Sequence, residues 1–159
     1  MTDGPTFEYA VNGRPVSTQP QSRTRGGKAK KSPALPAWRN VVKQAFKEAW
    51  EDYSKEYFVD YLRLELVWIF DAQVPNVPDL DNIVKPFIDT PEGALYENDI
   101  AFREMHLFKF ELNETRTVNA SSEKLIEALA SQREFIYIRI TPISTRSARP
   151  LSLLILTRP

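Results

Sequence analysis

Residues 59–70 read VDYLRLELVWIF, a stretch in which apolar and polar side chains alternate over most of its length. Successive side chains of a β-strand point to opposite sides of a sheet, so this alternation places the apolar side chains on one face. The apolar face carries Leu62, Leu64, Leu66 and Trp68. We therefore expect this stretch to form a central strand.

Other segments show the same alternation or a helical spacing. Residues 7–11, 104–112 and 134–141 alternate and predict three further strands. Apolar residues at three- and four-residue spacings predict a helix over residues 37–55. Its buried stripe is expected to contain Trp38, Val41, Val42, Ala45, Ala49 and Trp50.

Two shorter helices complete the predicted fold. Residues 121–129 begin with Ser-Ser-Glu, which is a typical helix start. Residues 81–89 are compatible with a short helix, in which Pro86 should cause a kink or a late start because proline has no backbone N–H. Together these elements predict an α+β fold, a small mixed sheet of about four strands with two to three helices.

The composition limits both the organisation and the chemistry of the chain. It has 159 residues, no cysteine and one histidine, His106, which we expect to be structural. Disulfides, thiolate zinc sites and mechanisms that need two histidines are therefore excluded. We expect one domain over residues 1–143 and an extension over residues 144–159. We also expect a cytoplasmic protein without a membrane partner, because no apolar run is long enough to span a bilayer.

Basic and acidic residues are segregated along the chain. Residues 14–47 contain nine lysines and arginines and no carboxylate, whereas residues 48–111 contain fifteen carboxylates and five basic residues. Within the basic part, residues 17–37 have almost no apolar content and predict a mobile basic loop. The segregation favours a polyanion bound by one part and a cation bound by the other, although a solvated basic loop is equally compatible with it.

The densest group of chemically active side chains is PDLDNIVK at residues 78–85, followed by Asp89 and by Asn98-Asp99. Two carboxylates two residues apart, just after a predicted strand, can converge on one cation. Oxygen ligands without sulfur or imidazole select a hard ion, so the candidate metal is Mg²⁺ or Mn²⁺. Asp and Asn in a loop are also typical of turns. A calcium-binding loop is excluded because Val84 stands where such a loop needs glycine.

The order Asp-Leu-Asp-Asn-x-x-Lys at residues 79–85, with aspartates following at 89 and 99, resembles the RusA-type Holliday junction resolvases. These are endodeoxyribonucleases of bacteria that are often carried by phages. The resemblance implies a RusA-like homodimer with one active site in each subunit, cutting two opposed strands of a four-way junction. It implies catalytic roles for Asp79, Asp81, Asp99 and Lys85, with the three aspartates binding Mg²⁺, for which Mn²⁺ can substitute. The family often has Asp-Asp where this chain has Asn98-Asp99.

Neighbouring residues receive supporting roles. We expect Asn82 to fix Asp81 or to cap the helix. Asp89 is expected to orient Lys85, and a plain surface position is the alternative for it. The candidates for contact with DNA phosphates are Arg14, Arg23, Arg25, Lys28, Lys30, Lys31 and Lys43. Since phosphate contacts carry no base information, the shape of the junction would be recognised.

The sequence thus predicts a Mg²⁺-dependent, structure-selective endodeoxyribonuclease of DNA recombination and repair. Three alternatives stay open. The first is a RusA-like protein that binds branched DNA without cutting it. The second is a protein whose acidic loop binds an ion only for stability. The third is a metal-dependent nuclease that acts on RNA or on flaps.

Overall fold

A computed structural model describes residues 5–22, 27, 30–54, 56–114 and 122–143 of the chain. The predicted DNA contacts Arg23, Arg25 and Lys28 lie outside these ranges, and so does the predicted extension, residues 144–159. Within the described residues, no helix is both long and apolar enough to cross a membrane.

The sheet has four strands, and the alternating stretch of the sequence lies in its interior. Along the sheet the order is β1 (Phe7–Asn12), β6 (Phe135–Ile143), β4 (Tyr61–Phe70) and β5 (Phe102–Glu111). β4 pairs antiparallel with β6 and parallel with β5, and β1 pairs antiparallel with β6. The mixed four-stranded sheet and its three helices confirm the predicted α+β fold.

The first helix, α1, spans Leu35–Glu51 and packs on one face of the sheet. It begins earlier than predicted because Pro36 fits the first turn of a helix, where its missing N–H is not needed. Its buried residues are Leu35, Trp38, Val42, Phe46 and Ala49. The predicted stripe was therefore wrong at Val41, which is 46% exposed, and it omitted Phe46.

The described part of the predicted basic loop, residues 17–37, contains short strands and the start of a helix. Short strands β2 (Pro20–Ser22) and β3 (Lys30–Lys31) pair antiparallel, and α1 takes up the last three residues. We call the paired strands Pro20–Ser22 and Lys30–Lys31 the basic hairpin. Its described lysines, Lys30 and Lys31, are exposed.

The connection between the parallel strands β4 and β5 carries the acidic motif. Parallel neighbours need a long crossover connection. The chain leaves the first strand at one end of the sheet and must enter the next strand at the opposite end. The crossover contains a 3₁₀ helix at Leu80–Ile83 and the helix α2 at Lys85–Asp89. The helix predicted over residues 81–89 is thus split into two short helices. Pro86 lies in the first turn of α2, which agrees with the late helix start that was predicted.

Buried tyrosines attach this crossover to the core. The Tyr9 hydroxyl donates to the carbonyl of Phe87 at 3.1 Å, and the Tyr96 hydroxyl donates to the carbonyl of Ile88. Phe87 also packs edge-on against Trp38 of α1, with ring centroids 6.2 Å apart. Burial raises the pKa of both tyrosines, so these hydroxyls stay protonated donors across the physiological range.

The helix α3 (Glu123–Ala130) packs near the other edge of the sheet, against β1 and β6. The Ser122 hydroxyl caps it by accepting from the Leu125 backbone N–H at 3.3 Å, which confirms the predicted start signal. The same hydroxyl donates to Glu8 of β1 at 2.9 Å. Ala128 lies in a second small core with Phe135 and Tyr137.

Candidate active site

Asp79 and Asp81 lie at the beginning of the crossover. Asp79 is the extended residue that precedes the 3₁₀ helix, and its backbone carbonyl accepts from the Asn82 N–H at 3.1 Å. The Asp79 side chain makes no capping hydrogen bond, and both carboxylates are exposed. The local fold therefore presents two carboxylates, two residues apart, to solvent.

Asn82 is held through its main chain. Its carbonyl accepts from the Thr18 N–H at 2.9 Å and from the Thr18 hydroxyl at 3.0 Å. Thr18 lies in the segment that leads from β1 into the basic hairpin. The 3₁₀ helix that carries Asp81 is thus hydrogen-bonded directly to the segment that precedes that hairpin.

Asp99 lies at the other end of the crossover, in the short 3₁₀ helix Asp99–Ala101 that precedes β5. The Asn98 side chain caps this helix by accepting from the Ile100 N–H at 3.1 Å. Asparagine at position 98 therefore has a local structural role, and Asp99 is left half-exposed with its carboxylate toward α2.

Lys85 bridges two of the carboxylates. Its Nζ lies 2.8 Å from Oδ1 of Asp89 and 3.0 Å from Oδ2 of Asp99. The hydrogen bonds to Asp89 and then to Asp99 raise the pKa of Lys85, so the ammonium is fully charged at neutral pH. The contact between Lys85 and Asp89 is the one expected from their four-residue spacing on a helix.

The two carboxylates that contact Lys85 belong to a group of three. Asp89, Glu92 and Asp99 offer oxygen atoms within 4.8 Å of one another, the spacing at which three ligands can share an ion. All three side chains are exposed. Glu92 was not among the predicted residues, although its position three residues after Asp89, in a turn opened by Pro91, could have indicated it.

Asp79 and Asp81 do not belong to that group. Among the described residues, the carboxylates whose oxygens lie within 4.8 Å of one another are Asp89, Glu92 and Asp99, and of these Asp99 belongs to the predicted ligand set. The three-aspartate ligand set stays a prediction from the resemblance.

The chemistry of these donors fits a hard divalent cation. Every candidate ligand in the crossover is a carboxylate oxygen, which suits Mg²⁺ or Mn²⁺ better than zinc or copper. Several exposed carboxylates around one lysine carry excess negative charge, which a divalent ion would balance. The acidic crossover thus has the composition of a cation site.

A basic groove lies on the outer side of α1. It has a volume of about 510 Å³ and is lined by Lys31, Ser32, Pro33, Arg39, Asn40 and Lys43, among others. Lys31 and Lys43 were predicted DNA contacts. Arg39 was missed, although its four-residue spacing from Lys43 places both cations on one helix face.

Arg14 has a different position from the one predicted. Its guanidinium pairs with Glu134, with Nε 2.8 Å from Oε1, and also donates to three backbone carbonyls. The side chain is only 16% exposed. Because its donors are used inside the protein, the structure argues against Arg14 as a DNA contact.

His106 is exposed on β5, 3.6 Å from Glu104.

A comparison with known protein families gives a match over most of the described chain. The model of the family described as Endodeoxyribonuclease RusA matches residues 12–118. No curated protein is similar enough to the chain to count as a match. The matched segment contains the basic hairpin, α1, β4, the whole acidic crossover and β5. Since it covers well over half of the sequence, the chain belongs to the RusA endodeoxyribonuclease family.

Proposed function

We propose that this protein is a Mg²⁺-dependent endonuclease that resolves four-way DNA junctions as a homodimer. One observation carries the proposal: the motif Asp79–Asp81–Lys85–Asp99 lies in one crossover of a RusA-family chain, with Lys85 bonded to Asp99. The helix that bears the basic groove packs against the same crossover through Trp38 and Phe87. The proposed phosphate-binding surface and the proposed cation-binding surface are thus on adjoining elements.

The proposed ligands of the metal are Asp79, Asp81 and Asp99, with Asp89 close to Asp99. A bound divalent ion supplies a Lewis acid and lowers the pKa of its bound water, which is what phosphodiester hydrolysis needs. Lys85 is a charged donor beside Asp99 and would offset the negative charge that develops on the phosphate. Asp89 holds the lysine in place by the ion pair at 2.8 Å.

The basic groove and the basic hairpin are proposed to hold the DNA backbone. Lys30, Lys31, Arg39 and Lys43 supply positive charge, and Asn40 and Ser32 supply neutral donors. Contacts of this kind recognise the shape of a junction rather than its bases. Paired cuts on opposed strands need two equivalent sites, which a two-fold symmetric dimer provides.

The test of the proposed function is cleavage of a mobile four-way junction by the purified protein. We expect paired nicks on opposed strands that require Mg²⁺ or Mn²⁺, and no cutting of linear duplex of the same sequence. The dimer should be visible by sedimentation. Binding of the junction without any nick in either metal would instead support the non-cleaving alternative.

Removing charge from the basic groove should weaken junction binding in a salt-dependent way. In the double variant Arg39→Gln/Lys43→Gln we expect the slope of log affinity against log salt to fall by about two, since each lost phosphate contact contributes roughly one. The measurement is fluorescence anisotropy of a labelled junction over a range of salt concentrations.

A control for this variant is Lys124→Gln/Arg133→Gln, which removes the same charge from the α3 side of the sheet. Its slope should match that of the wild type. If the slope of Arg39→Gln/Lys43→Gln also matches that of the wild type, the groove does not contact DNA.

A further inference from the structure

The loop that precedes Asp79 is held by Arg14. Residues 71–78 contain no helix or strand, yet they determine where the acidic motif begins. Arg14 donates to the backbone carbonyls of Asp71 at 2.6 Å, Val74 at 3.0 Å and Pro75 at 3.3 Å. With two further bonds to Glu134, all five N–H groups of the guanidinium are used.

Glu134 completes this arrangement from the start of β6. Both of its oxygens accept from Arg14, at 2.8 and 3.0 Å. The carboxylate also accepts from Nε1 of Trp68 at 3.1 Å and from the Asp71 N–H at 3.4 Å. Its side chain is only 10% exposed, so this bidentate pair is more strongly held than an ordinary surface ion pair.

The far end of the loop is fixed by a second cation. Nζ of Lys109, on β5, donates to the Pro78 carbonyl at 3.1 Å and lies 4.8 Å from the centre of the Trp68 ring. Between the two anchors, Asn76 adopts a left-handed backbone with φ of 62°, a conformation that asparagine tolerates better than most residues. The loop is therefore fixed at both ends by side chains from other parts of the chain, Arg14 after β1 and Lys109 on β5.

We propose that Arg14 and Glu134 are positioning residues for the metal site, a role that rests on the proposed function. Carboxylates bind a divalent ion tightly when they are already held in place, because binding does not then have to order them. By holding residues 71–75, the pair keeps the start of the acidic motif fixed to the sheet. Without it, Asp79 and Asp81 would bind the ion less tightly although neither is changed.

The test compares Arg14→Gln with Arg14→Lys. We expect Arg14→Gln to weaken Mn²⁺ binding by about 10-fold, measured from the electron paramagnetic resonance signal of the free ion, and to raise the Mg²⁺ concentration needed for half-maximal cleavage equally. Backbone amides of residues 72–79 should exchange hydrogen faster in the variant. Arg14→Lys, which keeps the charge but has three donors instead of five, should give intermediate values. Junction affinity without added metal should change less than two-fold.

Two further variants keep the result interpretable. Arg63→Gln removes another short ion pair, 2.7 Å to Glu104, that does not contact the loop. It should leave Mn²⁺ affinity and exchange of residues 72–79 unchanged. If Arg14→Gln does not fold, Lys109→Met tests the same idea from the Pro78 end and should also weaken Mn²⁺ binding.

The outcomes separate this inference from the proposed function. A folded Arg14→Gln or Lys109→Met protein with wild-type Mn²⁺ affinity and wild-type exchange in the loop would overturn the positioning role. A wild-type protein that never cuts junctions, but whose loop exchange and Mn²⁺ affinity respond to Arg14→Gln as described, would count against the nuclease function alone.

Discussion

Replacing Asp81 with asparagine is expected to lower the rate of junction cleavage roughly 10²- to 10³-fold, the range seen when one stabilising group of a reaction centre is lost. The amide has the same shape as the carboxylate but no charge, so it is a poorer ligand for a hard cation. Asp81 is exposed and lies in a short 3₁₀ helix, so the fold should be preserved. Junction binding should persist or tighten, because a negative charge next to the phosphates is removed. The measurement is single-turnover cleavage at saturating enzyme, with binding followed separately.

The matched control is Glu92→Gln, which makes the same chemical change in the carboxylate group that the structure brings together. Asp89, Glu92 and Asp99 lie within reach of one ion, but Glu92 lies outside the motif that resembles the family. We expect Glu92→Gln to cut within a few-fold of the wild type. The reverse result, with Glu92→Gln inactive and Asp81→Asn active, would move the metal to this group and contradict the proposed ligand set.

The sequence was sufficient for the parts of the fold that depend on local pattern. Alternation over β4 predicted an interior strand, because a strand buried on one face must repeat its apolar residues every second position. Ser122 predicted the start of α3, and Pro86 predicted the break before α2, because capping and the missing N–H are properties of single residues.

The sequence was insufficient where the outcome depends on partners distant in the chain. Arg14 was interpreted as a phosphate contact because it lies within a run of basic residues. Its actual partner, Glu134, is 120 residues away and becomes adjacent only when β1 and β6 pair. Phe46 is a different case, since it lies four residues after Val42 and three before Ala49 and could have been predicted from the helical spacing.

The candidate site shows the same division. The pairing of Lys85 with Asp89 follows from their spacing on a helix, and it was expected. The proximity of Glu92 to Asp99 depends on how the turn after α2 returns the chain toward β5, which no local pattern specifies. A motif can therefore identify the residue types of the site while the topology of the crossover decides which of them meet.

Replacing Lys85 with methionine is expected to lower the cleavage rate roughly 10²-fold or more, because the cation that is proposed to face the reacting phosphate is lost. The pKa of Lys85 is raised by Asp89 and Asp99, so the lysine is charged throughout the range from pH 6 to 9. We therefore propose that it acts as a fixed charge rather than as a base, and the wild-type pH–rate profile should show no step that disappears in the variant. Mn²⁺ affinity should rise slightly, since the ammonium no longer competes for Asp99.

The control Lys85→Arg keeps the charge and should retain more activity than Lys85→Met. Cleavage by Lys85→Met within three-fold of the wild type would show that this ammonium does not take part in the reaction.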